Sequence, residues 1–228
     1  MQLDLAAAPT LVLTGAWNPS IFSPAWLARY LFGYGEGQEA QIAQLLAVQG
    51  ETPRQTLYLR NIGFHAEQTR VELFANSIDS AYLSRLEGVL LKLIETLPHT
   101  PMGSLGVNFR FYENAAADSI LAKLDTLENL SDHYKIISSH YRTTLSFDEH
   151  SQCLVERSTS NDDLRVDFNY HFEKFADVKE KSTVVSGIVQ SRLRHALHFM
   201  NTIYDLDGYE TMQHEFSEMG EDWGTTNG

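Results

Sequence analysis

Basic residues are scarce in this chain. Seventeen Lys and Arg stand against thirty Asp and Glu, a formal net charge of -13, and none of the seventeen lies beyond Arg194. A surface of that sign repels phosphate backbones and anionic lipid, so no direct nucleic-acid binding and no membrane binding are expected. Cysteine is scarcer still. Cys153 alone cannot close an internal disulfide, and a chain of 228 residues is long enough to bury a core without one. A hydrophobic run able to cross a bilayer is missing, and the opening stretch Met1–Thr14 carries Asp4 where a secretion signal carries positive charge. These absences together point to a cytoplasmic protein. No repeat of solenoid period and no low-complexity linker divides the chain. It reads as one domain, residues 1–208, followed by an acidic amphipathic tail, residues 209–228.

What is present is a succession of alternating and helical patterns. Alternation over Leu11–Thr14, Thr56–Arg60, Arg70–Ala75, Gly106–Tyr112 and Leu164–Phe172 predicts half-buried strands. The second and third of these are expected to pair in a meander. Tyr134–Phe147 reads as one strand or two, and Cys153–Glu156 as a short one, with a turn over Ser158–Asp163 leading into the last strand. Ser23 followed by Pro24 marks a helix start, with Trp26, Leu27, Tyr30 and Leu31 on one face and Gly33 at the stop. Leucines at 83, 86, 90, 93 and 97 predict a helix over 80–97, capped by Ser77 or Asp79. Helices are likewise read over Ala115–Leu130, over Thr183–Tyr204 and, against a competing strand pattern, over Gln38–Val48. Alternating strands interspersed with helices give an α+β class, with a mixed or mainly antiparallel sheet and helices covering one face.

Signatures of chemistry are few, and no catalytic set, cofactor or metal is implied. Gly33, Gly35 and Gly37 fit neither a phosphate loop nor a dinucleotide turn. His195 and His198 have metal-site spacing but no third ligand, and helical counting puts both on the flank or polar side of their helix. Asp205-Leu206-Asp207-Gly208 lacks the remaining ligands of a calcium loop and suits a helix stop. Cys153 and His150, three apart, would face opposite sides of a strand, so a buried thiol is the better reading.

Two features bear on ligands. The strand Leu164–Phe172 places Arg165, Asp167, Asn169, His171 and Glu173 together on one face, either simply meeting water or lining a pocket in which His171 beside Asp167 or Glu173 acts as an acid or base. Arg192 falls within the apolar arc of the final helix, where a guanidinium needs a partner: an internal carboxylate, an anionic ligand or another protein's acid.

The tail is the most distinctive segment. Asp205, Asp207, Glu210, Glu215, Glu218, Glu221 and Asp222 frame an aromatic and methionine stripe, Tyr209, Met212, Phe216, Met219 and Trp223, at three- and four-residue spacing. Such a ridge docks in a groove of a partner protein, its acidic flanks favouring a basic one, or folds onto its own domain or a twin subunit by self-association. The expected function is a non-catalytic protein-binding subunit or adaptor. The alternatives are a small-molecule hydrolase or acid/base enzyme built around Asp167 and His171, and an acidic nucleic-acid mimic that blocks a basic groove.

Overall fold

A computed structural model describes residues 2–5, 8–49, 52–114, 116, 138–147, 151–160, 163–173, 175, 181–204 and 210–211. The strands are β1 (Gln2–Leu3), β2 (Leu11–Gly15), β3 (Ala43–Gln49), β4 (Thr52–Leu59), β5 (Ile62–Ala66), β6 (Arg70–Phe74), β7 (Met102–Glu113), β8 (Ser138–Ser146), β9 (Ser151–Ser160), β10 (Asp163–Phe172) and β11 (Glu210–Thr211). The helices are α1 (Pro24–Trp26), which continues as a π-helical turn Leu27–Leu31, then α2 (Ser80–Thr96), α3 (Lys181–Val185) and α4 (Ile188–Tyr204). The fold is α+β, with a large and mostly antiparallel sheet in the order β3-β4-β5-β6-β2-β7-β10-β9-β8. β1 runs antiparallel to the far end of β7, and β11 adds to β1 in parallel. Among the described residues no helix is long and apolar enough to cross a membrane.

Strand alternation explains why one face is apolar. A single register row crosses the sheet as Leu57, Phe64, Leu73, Leu11, Val107, Tyr170, Cys153 and Leu145. The inward residues Phe109, Phe111, Val166 and Phe168 continue it on neighbouring rows, and all four are buried. The helices supply the other half of the core through Leu83, Leu86, Val89, Leu90 and Leu93 of α2 and Ile188, Val189, Leu193, Ala196 and Met200 of α4. Each set recurs at three- or four-residue spacing, so each helix buries one stripe against the sheet.

Several sequence expectations are corrected. Residues 43–49 are strand rather than helix: the run is short, and the facing β4, joined to it as a hairpin, satisfies its backbone in extended form. β5 was not foreseen, because Ile62, Gly63, Phe64 and His65 are all buried and show no alternation. It lies between β4 and β6, so the strands expected to pair directly are separated by it. β9 is ten residues long and absorbs Ser158–Ser160, which the sequence pattern assigned to the turn. Tyr30 is exposed, not on the buried face with Leu27 and Leu31, since the π-helical turn rotates residues away from 3.6-residue spacing. The long final helix is broken at Gly187, whose φ of +74° is left-handed. The expected helix 115–130 lies outside the described residues apart from Ala116, which is buried.

Predicted caps hold. Ser23 accepts from the Trp26 amide at 3.3 Å, and Asp79 accepts from the Ala81 and Tyr82 amides, filling orphan donors of the first turn. The β4–β5 turn is unusual in placing Arg60 and Asn61 at φ of 47° and 64°. Asn tolerates this region, but an Arg there carries strain.

Candidate functional site

The face of the sheet opposite the apolar one carries the polar residues of β10. Asp167 stands in a transverse row with Arg110 of β7, Glu156 of β9 and Arg142 of β8. Two carboxylates side by side repel, and guanidinium groups on both flanks offset this. Arg110 Nε donates to Asp167 Oδ1. Arg165 Nε lies 3.0 Å from Oδ2 as an ion pair, off the line of a hydrogen bond. Arg142 Nε lies 3.3 Å from Glu156. Asp163, expected in a solvated turn, instead begins β10 and accepts from the Tyr112 hydroxyl at 2.8 Å.

His171 is not beside Asp167. The two are four residues apart on one strand, roughly 13 Å, with Asn169 between them and Gly106 and Gln152 as the lateral neighbours of His171. Glu173 lies in the turn past the strand end. Asn169 and His171 do share a feature: with Arg142, Thr144, Gln152 and Leu154 they line an open depression of about 300 Å³. Its lining offers amide, hydroxyl, imidazole and guanidinium groups over one apolar residue, enough to hold a small polar molecule, but no carboxylate to pair with the imidazole. Farther across this face, His65 contacts the Gln55 carbonyl through Nδ1 and Glu67 through Nε2, and Arg70 bridges Glu67 at 3.3 Å and the buried Glu72 at 2.9 Å.

The helix-covered face holds a second polar cluster that sequence reasoning missed. The Tyr170 hydroxyl lies 2.7 Å from His195 Nδ1, and Phe147 meets the imidazole edge-on at 4.5 Å between centroids. His195 therefore turns toward the sheet instead of lying on the polar flank with the exposed His198. Burial first, then the Arg192 and His198 charges, holds its pKa below the ordinary 6.5, which favours the neutral imidazole. Cys153, hydrogen-bonded to Tyr170, is fully buried, and desolvation pushes its thiol up to about 12. A thiol so protonated at neutral pH is no nucleophile. His150 lies outside the described residues.

Arg192 belongs to the same cluster, and no carboxylate pairs with it among the described residues. Its guanidinium carbon sits 4.9 Å from the Phe147 ring, 5.2 Å from Phe172 and 5.7 Å from Tyr170, so the charge is held by aromatic faces. The sequence signal that could have found the cluster is the coincidence of Tyr170, on the apolar side of its strand, with a helix bearing Arg192 and His195.

The His195 environment fixes a pH dependence. Between 6.5 and the lower folded value the unfolded chain binds more protons, so stability rises with pH there and is lost as pH falls through the same window. Urea midpoints should drop between about pH 7 and about pH 5 in the natural protein, and His195→Gln should flatten that part of the profile. Equal slopes in the two proteins would remove the assignment.

Glu87 was also missed, although it interrupts the leucine stripe of α2. It is buried, and its two carboxylate oxygens accept from the Gly187 amide at 2.7 Å and the Val189 amide at 2.8 Å. An acid from one helix thereby caps the start of another.

Of the tail anchors, Tyr209, Met212, Phe216, Met219 and Trp223 lie outside the described residues. Glu210 and Thr211 are extended and paired with Gln2 and Leu3. Among the described residues no three His, Cys, Asp or Glu side chains are grouped to hold a metal ion. No protein-family model, no curated protein and no solved structure matches this chain.

Proposed function

We propose that the chain is a non-catalytic protein-binding subunit or adaptor of an intracellular complex, docking in part through the acidic ridge at residues 209–223. The observation that carries the reading is the engagement of the reactive groups. Asp167 is flanked by Arg110 and Arg165, the imidazole of His195 is hydrogen-bonded to the Tyr170 hydroxyl, and the Cys153 thiol is buried with its pKa raised. General acid/base and nucleophilic catalysis need such groups free to exchange protons or attack a substrate. The broad ion-paired face and the negative charge suit recognition of another protein.

The test is capture from the native host with the full chain and with a Met212→Ala/Phe216→Ala/Met219→Ala/Trp223→Ala variant. These substitutions leave the β1–β11 pairing residues in place. One identified partner should co-purify with the natural chain and fall by about ten-fold or more with the variant, both proteins melting at the same temperature. Retention of the same partner by the variant would sink the docking role. The depression at His171 supports a second reading, a small-molecule site: His171→Ala, with capture intact but cellular function lost, would transfer the case there.

A further inference from the structure

One corner of the molecule gathers arginines among aromatic rings. Trp26, Tyr30 and Tyr34 follow one another at four-residue spacing, and the Trp26 and Tyr30 rings lie 5.3 Å apart. Tyr30 is 42% exposed. Arg29 lies over the Tyr30 ring at 5.6 Å, and Arg60 over the Tyr34 ring at 4.8 Å, its Nε 3.4 Å from the Tyr34 hydroxyl. Arg85 of α2 stands by Tyr82, whose hydroxyl donates to the Asn61 carbonyl at 2.7 Å. Arg70, Arg110, Arg142 and Arg165 all sit in ion pairs. Arg29, Arg60 and Arg85, by contrast, have no carboxylate partner among the described residues. Arg60 keeps its place despite a left-handed φ that a glycine would adopt without strain. Trp, Tyr and Arg are the residues that anchor protein interfaces.

The register says what is nearest to this corner. Thr211 pairs with Leu3, which pairs with Phe111 of β7. Phe64 is level with Val107 through Leu73 and Leu11, so Ile62 is level with Phe109 and the Arg60–Asn61 turn lies about one residue farther. β11 occupies the column of β6, next to β5. On the sheet lattice Thr211 is therefore one to two strand spacings from that turn, roughly 5–10 Å. The residues that follow Thr211 carry Glu215, Glu218, Glu221 and Asp222 among Phe216, Met219 and Trp223, with no Lys or Arg.

We propose that this arginine–aromatic corner is the seat of the chain's own acidic C-terminal segment. The carboxylates meet Arg29, Arg60 and Arg85, and the aromatic anchors pack on the Trp26, Tyr30 and Tyr34 stripe. Attachment at Thr211 keeps the segment at high effective concentration, so modest contacts suffice. The inference shares with the proposed function the premise that residues 209–223 are a docking ridge, and adds where that ridge rests. A partner then has to displace the corner to reach it.

Chymotryptic cleavage after Phe216 and Trp223 in the full chain is the readout. An Arg29→Glu/Arg60→Glu/Arg85→Glu variant should be cut about ten-fold faster than the natural protein. Adding Glu215→Arg/Glu218→Arg/Glu221→Arg to it should restore protection. Equal cleavage of natural and charge-reversed chains, both folded by near-ultraviolet circular dichroism, overturns the proposal. Should the variant not fold, the natural chain decides: cleavage must accelerate on raising salt to about 0.5 M, and a salt-independent rate overturns it. Partner capture reports separately. Faster cleavage with unchanged capture leaves the corner standing and sinks the ridge as a partner-binding element.

Discussion

Glu87→Ala is expected to lower the unfolding free energy by about 3–5 kcal/mol, read as a fall in urea midpoint at unchanged slope. The carboxylate is 3% exposed and accepts two backbone amides, those of Gly187 and Val189. A hydrogen bond to a charged group contributes about 1.5–3 kcal/mol, and the negative charge opposes the positive end of the α4 dipole. Alanine leaves both amides without an acceptor in a site too enclosed for free access of water. Glu87→Gln keeps one good acceptor and should cost about half as much. A loss below about 1 kcal/mol for the alanine variant would mean that the break at Gly187 is held by packing alone.

Tyr170→Ala should be comparably damaging, at about 3–5 kcal/mol. The side chain is 1% exposed. Its ring lies against Phe109 at 6.3 Å, Phe147 at 5.8 Å and Phe168 at 6.3 Å, and it carries part of the Arg192 charge at 5.7 Å. Removing it opens a void where β10 meets α4 and withdraws a face from a half-buried cation. Tyr170→Phe keeps the ring and deletes the hydroxyl hydrogen-bonded to His195, so about 1–2 kcal/mol is expected. Near-equal costs for the two variants would show that the hydroxyl dominates and that the ring is dispensable. Thermal or urea unfolding of both variants separates these outcomes.

The elements most legible in the sequence were those whose period matches their burial. β7 and β10 alternate because one face meets helices and the other meets water, and α2 shows its leucines at helical spacing for the same reason. β5 hid because both of its faces are covered, which erases a period of two. Residues 43–49 were misread because a short run with only four consecutive apolar residues fits either period until a neighbouring strand takes its hydrogen bonds. The site was less legible than the fold. Asp167, Asn169 and His171 do share the polar face, but spacing along a strand could not reveal that Arg110, from a strand more than fifty residues away, claims Asp167. Arg192 was recognised as misplaced, while its aromatic partners come from β10 and the end of β8, which no count along α4 can show.

By itself, then, the sequence determined the class of fold, the caps, the apolar faces of α2, β7 and β10 and the concentration of negative charge beyond Arg194, since these follow from local chemistry and from periodicity along one chain segment. The tertiary structure alone decided who neighbours whom: Glu87 with Gly187, Tyr170 with His195, and Thr211 level with the Arg60 turn. Pairings across a hundred residues depend on register and packing angle, and neither leaves a trace in the order of side chains on a single element.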